Sequence, residues 1–245
     1  MPELAQHQDL VVTRAAGFAD LAEQVSARVV EHIDRVLRQH EFCTVALTGG
    51  STPAATYRSL SAADLPWDRI HVLQTDDHIV ADSETGPSWS VIERDLLHRC
   101  AVPVANRHPM PVRTGPGLAS AVRRYDMQIR SLLRGQSPDV VVLGLGEDGH
   151  TASIFDGDPS ALTADRVVVT TAPYHGVTRM TLTLPTLARG GLRVVLACGT
   201  AKAAAVAGLL GEGAPRTSAV AGILRGGGML FVDDAAMSVA DAATG

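Results

Sequence analysis

An aspartate and a histidine one glycine apart, Asp148-Gly149-His150, close the segment Gly144-Leu145-Gly146-Glu147-Asp148-Gly149-His150, which follows the apolar run 140–143. A carboxylate and an imidazole delivered together after a buried strand suit general acid/base work, because imidazole titrates near neutrality. By spacing alone, Gly144, Gly146 and Gly149 also satisfy a dinucleotide fingerprint. That reading fails because the unit lies in the second half of the chain, and the next apolar run ends in Thr170-Thr171 with no acid for a ribose. His150 has no second histidine at helical spacing and no cysteine cluster nearby, so no metal site is expected. Of the nine histidines, His32, His40, His98 and His108 read as satisfied by backbone contacts rather than as chemistry.

Two further segments have residue types suited to a polar, anionic ligand. Thr48-Gly49-Gly50-Ser51-Thr52-Pro53 follows one apolar run and opens a helical pattern. Gly49 and Gly50 permit close backbone approach, Ser51 and Thr52 offer hydroxyls and a helix cap, and Pro53 suits a first helical turn. Free amides at such a start favour an anion, although the same residues also make an ordinary capped turn. No Gly-Lys-Ser/Thr follows at P-loop spacing. Thr75-Asp76-Asp77-His78 follows another run, and its paired carboxylates suit sugar hydroxyls or the orientation of a base, or else a solvated loop cap. The cations best placed to join a phosphate are Arg179, just before the run 180–184, and Lys202, which begins a helix; either also reads as a surface charge. Arg58, Arg94, Arg123, Arg124, Arg130 and Arg134 sit on helical patterns and read as solvated.

These residues need a scaffold that gathers the ends of several strands. Strand-sized apolar runs occur at 43–47, 70–74, 140–145, 167–171, 180–184, 194–198 and 229–232. Helical patterns lie at 17–39, 53–60, 88–99, 118–133 and 201–210; in the first, Phe18, Leu21, Val25, Val29, Ile33 and Val36 share one face. This alternation predicts an α/β fold, a mostly parallel twisted sheet with helices on both faces, whose ligands bind beyond the carboxyl ends of the strands. The glycine- and proline-rich stretches 113–117 and 211–215 are loop-sized, and one domain over residues 1–245 is expected.

Composition narrows the function classes. The 245 residues are 46% hydrophobic and 19% charged, with a formal net charge of -5 and no dense basic stripe, which opposes nucleic-acid binding. Cys43, Cys100 and Cys198 form no Cys-x-x-Cys pair and read as reduced core residues. Residues 1–8 are polar and no span of membrane-crossing character follows, so no membrane partner and a cytoplasmic address are expected.

Taken together, the segments 47–53, Asp76-Asp77, 144–155, 179–185 and 199–202 resemble the 6-phosphogluconolactonases, within the superfamily that also holds glucosamine-6-phosphate deaminases. The resemblance runs from about residue 44 to 233, and its most specific piece is Gly-Glu-Asp-Gly-His-Thr-Ala-Ser. It implies a NagB/RpiA/CoA-transferase-like fold and a cofactor-free hydrolysis of a phosphorylated sugar lactone. His150, Asp148 and Asp76 would form the catalytic centre. Gly49, Gly50, Ser51, Thr52, Asp77, His78, Arg179 and Lys202 would bind the sugar phosphate. The partner would be a small molecule, the protein a monomer or small homo-oligomer.

Related deaminases place a catalytic Glu a few residues after the Asp-Gly-His, where this chain has Phe155 and its neighbours, so the lactonase branch is the closer match. A non-catalytic sugar-phosphate sensor is the third reading; no basic helix-turn-helix segment precedes Gly17, which disfavours a transcription factor. Lactonases carry Asp-Glu-Arg where this chain has Asp76-Asp77-His78, and Asn where it has Trp89. The exchange of guanidinium for imidazole makes that contact titratable. Trp89 is expected to add an apolar wall near the same loop.

Overall fold

The computed structural model describes residues 10–80, 85–211 and 218–244. The polar start, residues 1–8, and most of the glycine- and proline-rich stretch 211–215 lie outside them. Ten strands occur among the described residues: β1 Val11–Ala15, β2 Cys43–Leu47, β3 Ile70–Gln74, β4 Asp76–His78, β5 Arg107–His108, β6 Val140–Gly144, β7 Val168–Thr170, β8 Arg179–Leu182, β9 Leu192–Ala197 and β10 Met229–Asp233. The helices are α1 Phe18–Leu37, α2 Ser51–Ser61, α3 Pro87–Ile92, α4 Leu118–Leu132, α5 Leu184–Ala188, α6 Ala203–Leu210, α7 Ala219–Leu224 and α8 Asp234–Thr244.

Seven strands form one parallel sheet in the order β1-β10-β9-β6-β2-β3-β5. From β2 the chain builds outward through β3 to β5. From β6, on the other side of β2, it builds the opposite way through β9 to β10. The β2/β6 boundary is therefore the switch point at which an open parallel sheet leaves a crevice beyond its strand ends.

The central strands are buried on both faces, which is why they read as unbroken apolar runs. Successive residues alternate between two cores. Cys43, Val45, Leu47, Val140, Val142, Val194 and Leu196 pack with α1, α2 and α3 through Leu21, Val25, Ile33, Tyr57, Leu60 and Trp89. Ala46, Val141, Leu143, Val195 and Ala197 pack on the other side with α4, α6 and α7 through Val122, Ile129, Val206 and Ile223. Each valine, leucine or isoleucine among them contributes about 1.5–3 kcal/mol on full burial, so the strand ends are firmly held.

Several expectations need correcting. The runs near 168 and 180 do not join the parallel sheet. With β4 they form a separate antiparallel sheet in the order β4-β8-β7. Residues 76–78 are thus a strand rather than a loop. The run expected to reach residue 184 stops at Leu182, because Leu184 begins α5 with a proline in its first turn. Arg58 and Arg94 are solvent-exposed, as expected, and both also reach Asp95, at 2.8 and 2.5 Å, a carboxylate only 3% exposed. Trp89 is 2% exposed and packs in the core behind the crevice, so it forms no wall of it. The three thiols are free, but only Cys43 is fully buried. Among the described residues no helix is long and apolar enough to cross a membrane.

Candidate active site

Three neighbouring strands, β9, β6 and β2, end at one cavity of about 640 Å³, and the antiparallel sheet closes its side. The loop after β6 is a tight turn. Gly146 N–H donates to the His150 carbonyl (2.7 Å) and Gly149 N–H to the Gly146 carbonyl (3.1 Å). Gly149 has φ +89°, a conformation side chains disfavour. The Thr151 hydroxyl ties the exit of the turn to the Gly144 carbonyl at 2.7 Å.

Within this turn Asp148 Oδ1 lies 2.5 Å from His150 Nδ1 and also accepts the His150 backbone N–H at 3.2 Å. The other carboxylate oxygen, Oδ2, accepts the Tyr174 hydroxyl. Partial burial works against the charge on Asp148, but the hydrogen bonds from Tyr174 and His150 outweigh it and hold the carboxyl down at about 2. The carboxylate is therefore ionised at neutral pH, an acceptor for a hydrogen bond from Nδ1–H. In the tautomer with the proton on Nδ1, Nε2 carries the lone pair that can act as a base.

Gly146 makes this pairing sterically possible. A Cβ there would stand 2.3 Å from His150 Nδ1 and 2.6 Å from Asp148 Oδ1.

The strand β4 presents Asp76 and His78 to the cavity. Asp76 is 5% exposed, and its carboxylate accepts the hydroxyls of Thr48 (3.2 Å), Thr75 (3.0 Å) and Ser153 (2.7 Å), joining the ends of β2 and β3 to the segment after His150. His78 faces Arg179 across the β4/β8 pairing, and Arg179 also lines the cavity. The Arg179 guanidinium lies over the rings of Phe155 (5.2 Å) and Tyr174 (5.9 Å). Its Nε, like Nδ1 of His78, is buried without a hydrogen bond.

Asp77 departs from the expected binding role. Its side chain is fully buried and faces away from the cavity. Its oxygens accept backbone N–H groups of His78 (2.8 Å), Ser88 (3.1 Å) and Trp89 (3.0 Å) and the Gln74 amide (2.7 Å). Those bonds cap the start of α3 and leave no lone pair for a ligand.

Gly49, Gly50, Ser51 and Thr52 line the opposite wall. The N-cap of α2 is Gly50, at φ 108° and ψ 168°, rather than a hydroxyl residue, and no side chain caps the helix start from that position. The first-turn amides keep their attraction for an anion. Gly49 is required by contact: a Cβ would fall 2.6 Å from Ser88 Cα. The loop after β9 repeats the device, with Gly199 at φ 89° and ψ 159° heading the turn that carries Lys202. Lys202 is the sole lysine of the sequence, every other fixed side-chain cation being arginine. Its ammonium lines the cavity 4.0 Å from a Glu147 oxygen.

Tyr174 and His175, which also line the cavity, were not foreseen. Their only sequence signal is His175-Gly176, whose φ values of 50° and 78° make a two-residue turn of the kind that closes hairpins. Among the described residues no group of three His, Cys, Asp or Glu side chains is arranged to hold a metal ion.

A family model for glucosamine-6-phosphate isomerases/6-phosphogluconolactonase matches residues 17–232. The 6-phosphogluconolactonase of Synechocystis sp. is 32% identical over 187 residues, covering 74% of this chain and 77% of that protein. The GDH/6PGL endoplasmic bifunctional protein of Homo sapiens is 33% identical over 192 residues, which cover 76% of this chain; the chain spans only 24% of that relative's length. Among solved structures, 6-phosphogluconolactonase from Thermotoga maritima superposes with a TM-score of 0.77 at 26% identity, covering 92% of this chain and 99% of that one.

Proposed function

The chain belongs to the glucosamine-6-phosphate isomerase/6-phosphogluconolactonase family, and on that premise we propose that it hydrolyses 6-phosphogluconolactone, or a closely related phosphorylated sugar lactone, to the phosphorylated acid. One observation carries the reading. An imidazole held by an ionised carboxylate lines the same cavity as the guanidinium of Arg179 and the ammonium of Lys202.

In this reading the phosphate sits among the α2 amides, Arg179 and Lys202, and anchors the sugar ring beside His150. Nε2 removes a proton from water as the water oxygen bonds to the lactone carbonyl carbon. The tetrahedral intermediate expels the ring oxygen, which takes that proton from the imidazolium. Asp148 steadies the cationic ring throughout, and Asp76 orders the loops that face the sugar. His78 sits beside Arg179 on the anion side. The reaction calls for no cofactor. Its partner is a small sugar phosphate, and the reading assigns it to the cytoplasm, in monomers or small homo-oligomers.

The ring-opening deaminase alternative is disfavoured by what lies next to His150: the phenyl ring of Phe155, 5.0 Å away, which has no proton to carry.

A panel of phosphorylated lactones and amino-sugar phosphates, followed by NMR with His150→Ala as the baseline for spontaneous hydrolysis, tests the assignment. Accelerated opening of a phosphorylated lactone supports it; turnover of none of the lactones sinks it. In the same assay Arg179→Ala is expected to raise KM about 10- to 100-fold, the loss of charge-assisted hydrogen bonds, with a smaller change in kcat. A fall in kcat at unchanged KM would instead move Arg179 to the chemical step.

A further inference from the structure

We propose that Tyr174 is a positioning residue of the acid/base pair, acting on His150 through Asp148. Its kinetic consequences rest on the lactonase reading; its structural consequence does not.

A carboxylate on a glycine-flanked turn is free to rotate, and the Asp148 side chain is 44% exposed. Left alone, the carboxylate could swing away from the imidazole, and water would compete for both oxygens. Tyr174 removes that freedom. Its hydroxyl occupies Oδ2, leaving Oδ1 to His150 Nδ1 and the His150 backbone N–H. The side-chain rotamer that keeps a carboxylate oxygen on Nδ1, and with it the Nδ1-protonated tautomer, is favoured.

The tyrosine is itself held at both ends. Its backbone exchanges hydrogen bonds with Val177 in both directions, at 3.0 and 3.1 Å, across the His175-Gly176 turn. Its ring stacks on Phe155 with centroids 3.8 Å apart and planes 7° from parallel. Phe155 is 6% exposed, so the platform belongs to the core. Arg179 lies over both rings and adds a cation–π contact from the strand that follows the hairpin. The phenol keeps its proton, because donation to the ionised Asp148 pushes its pKa up. A hydroxyl on a stacked, hairpin-mounted ring is therefore a fixed donor aimed at one oxygen of the dyad.

Tyr174→Phe removes the hydroxyl and keeps the stack. In histidine-labelled protein without ligand, nitrogen–proton correlation spectra report the tautomer of the His150 ring. The native ring is expected to be protonated at Nδ1, and the variant ring to become a mixture of tautomers. With substrate, kcat should fall about tenfold at unchanged KM, the scale of one charge-assisted hydrogen bond. In an Asp148→Asn background the same substitution should have no further effect on kcat, because the path to His150 is already broken.

An unchanged His150 tautomer overturns the proposal, as does full additivity with Asp148→Asn. A rise in KM at constant kcat overturns it too, by making Tyr174 a substrate contact. If no lactone is turned over at all, the functional reading fails, and the tautomer measurement still decides the role of Tyr174.

Discussion

His150→Ala is expected to lower kcat by about 100- to 10,000-fold, the range that positioned proton transfer contributes. Binding of a phosphorylated aldonate, the product class, should be unchanged by titration calorimetry. The separation follows from the architecture. His150 belongs to the turn after β6, whereas the groups proposed to hold the anion come from the start of α2, from β8 and from the turn after β9. The imidazole is 26% exposed at the cavity wall and touches the core only through its tilted contact with the Phe155 ring, so its removal leaves the scaffold intact. Equal losses of kcat and product affinity would reassign His150 to binding.

Gly146→Ala is expected to lower kcat about 100-fold with little change in melting temperature. The Gly146 backbone is fixed by its hydrogen bonds to His150 and Gly149, so an added methyl cannot retreat. It would stand 2.3 Å from His150 Nδ1 and 2.6 Å from Asp148 Oδ1, well inside contact distance. The side chains must give way, and the loss falls on the bond that fixes the tautomer rather than on the fold. Gly149→Ala is the instructive contrast. Nothing crowds a Cβ there, but φ is +89°, so the cost of about 1–2 kcal/mol falls on stability. Near-native kcat in Gly146→Ala would show that the pair tolerates displacement, and would remove it from the mechanism.

Much of the candidate site was legible because the residues that line its cavity follow immediately after buried strands. Gly49 to Thr52 after β2, Asp148 and His150 after β6, and Lys202 after β9 all stand beside apolar runs whose length and composition mark them as central strands. The misjudged aspartate has a simple cause. Side chains alternate along a strand, so Asp76 and His78 face one way and Asp77 the other. Reading 75–78 as a loop hid that alternation.

The antiparallel sheet was hidden for a different reason. Its strands are three and four residues long, and β4 pairs with β8 from about a hundred residues away, which no local pattern encodes. Strand β1 is a half-exposed edge whose Val11 and Val12 are 47% and 40% accessible, so it lacks the apolar run of a central strand. Tyr174 escaped because a hairpin turn of two residues gives only a faint signal, and its partner Asp148 lies 26 positions earlier.

The composition of the cavity wall has a practical corollary. Because Lys202 is the one side chain in the entire sequence that ends in a primary amine, an acylating or reductively alkylating reagent has a single internal address, beside the dyad. A fluorophore or cross-linker can thus be seated at the mouth of the crevice, the chain's α-amine being the one other amine such reagents meet, and the twenty arginines elsewhere stay unlabelled.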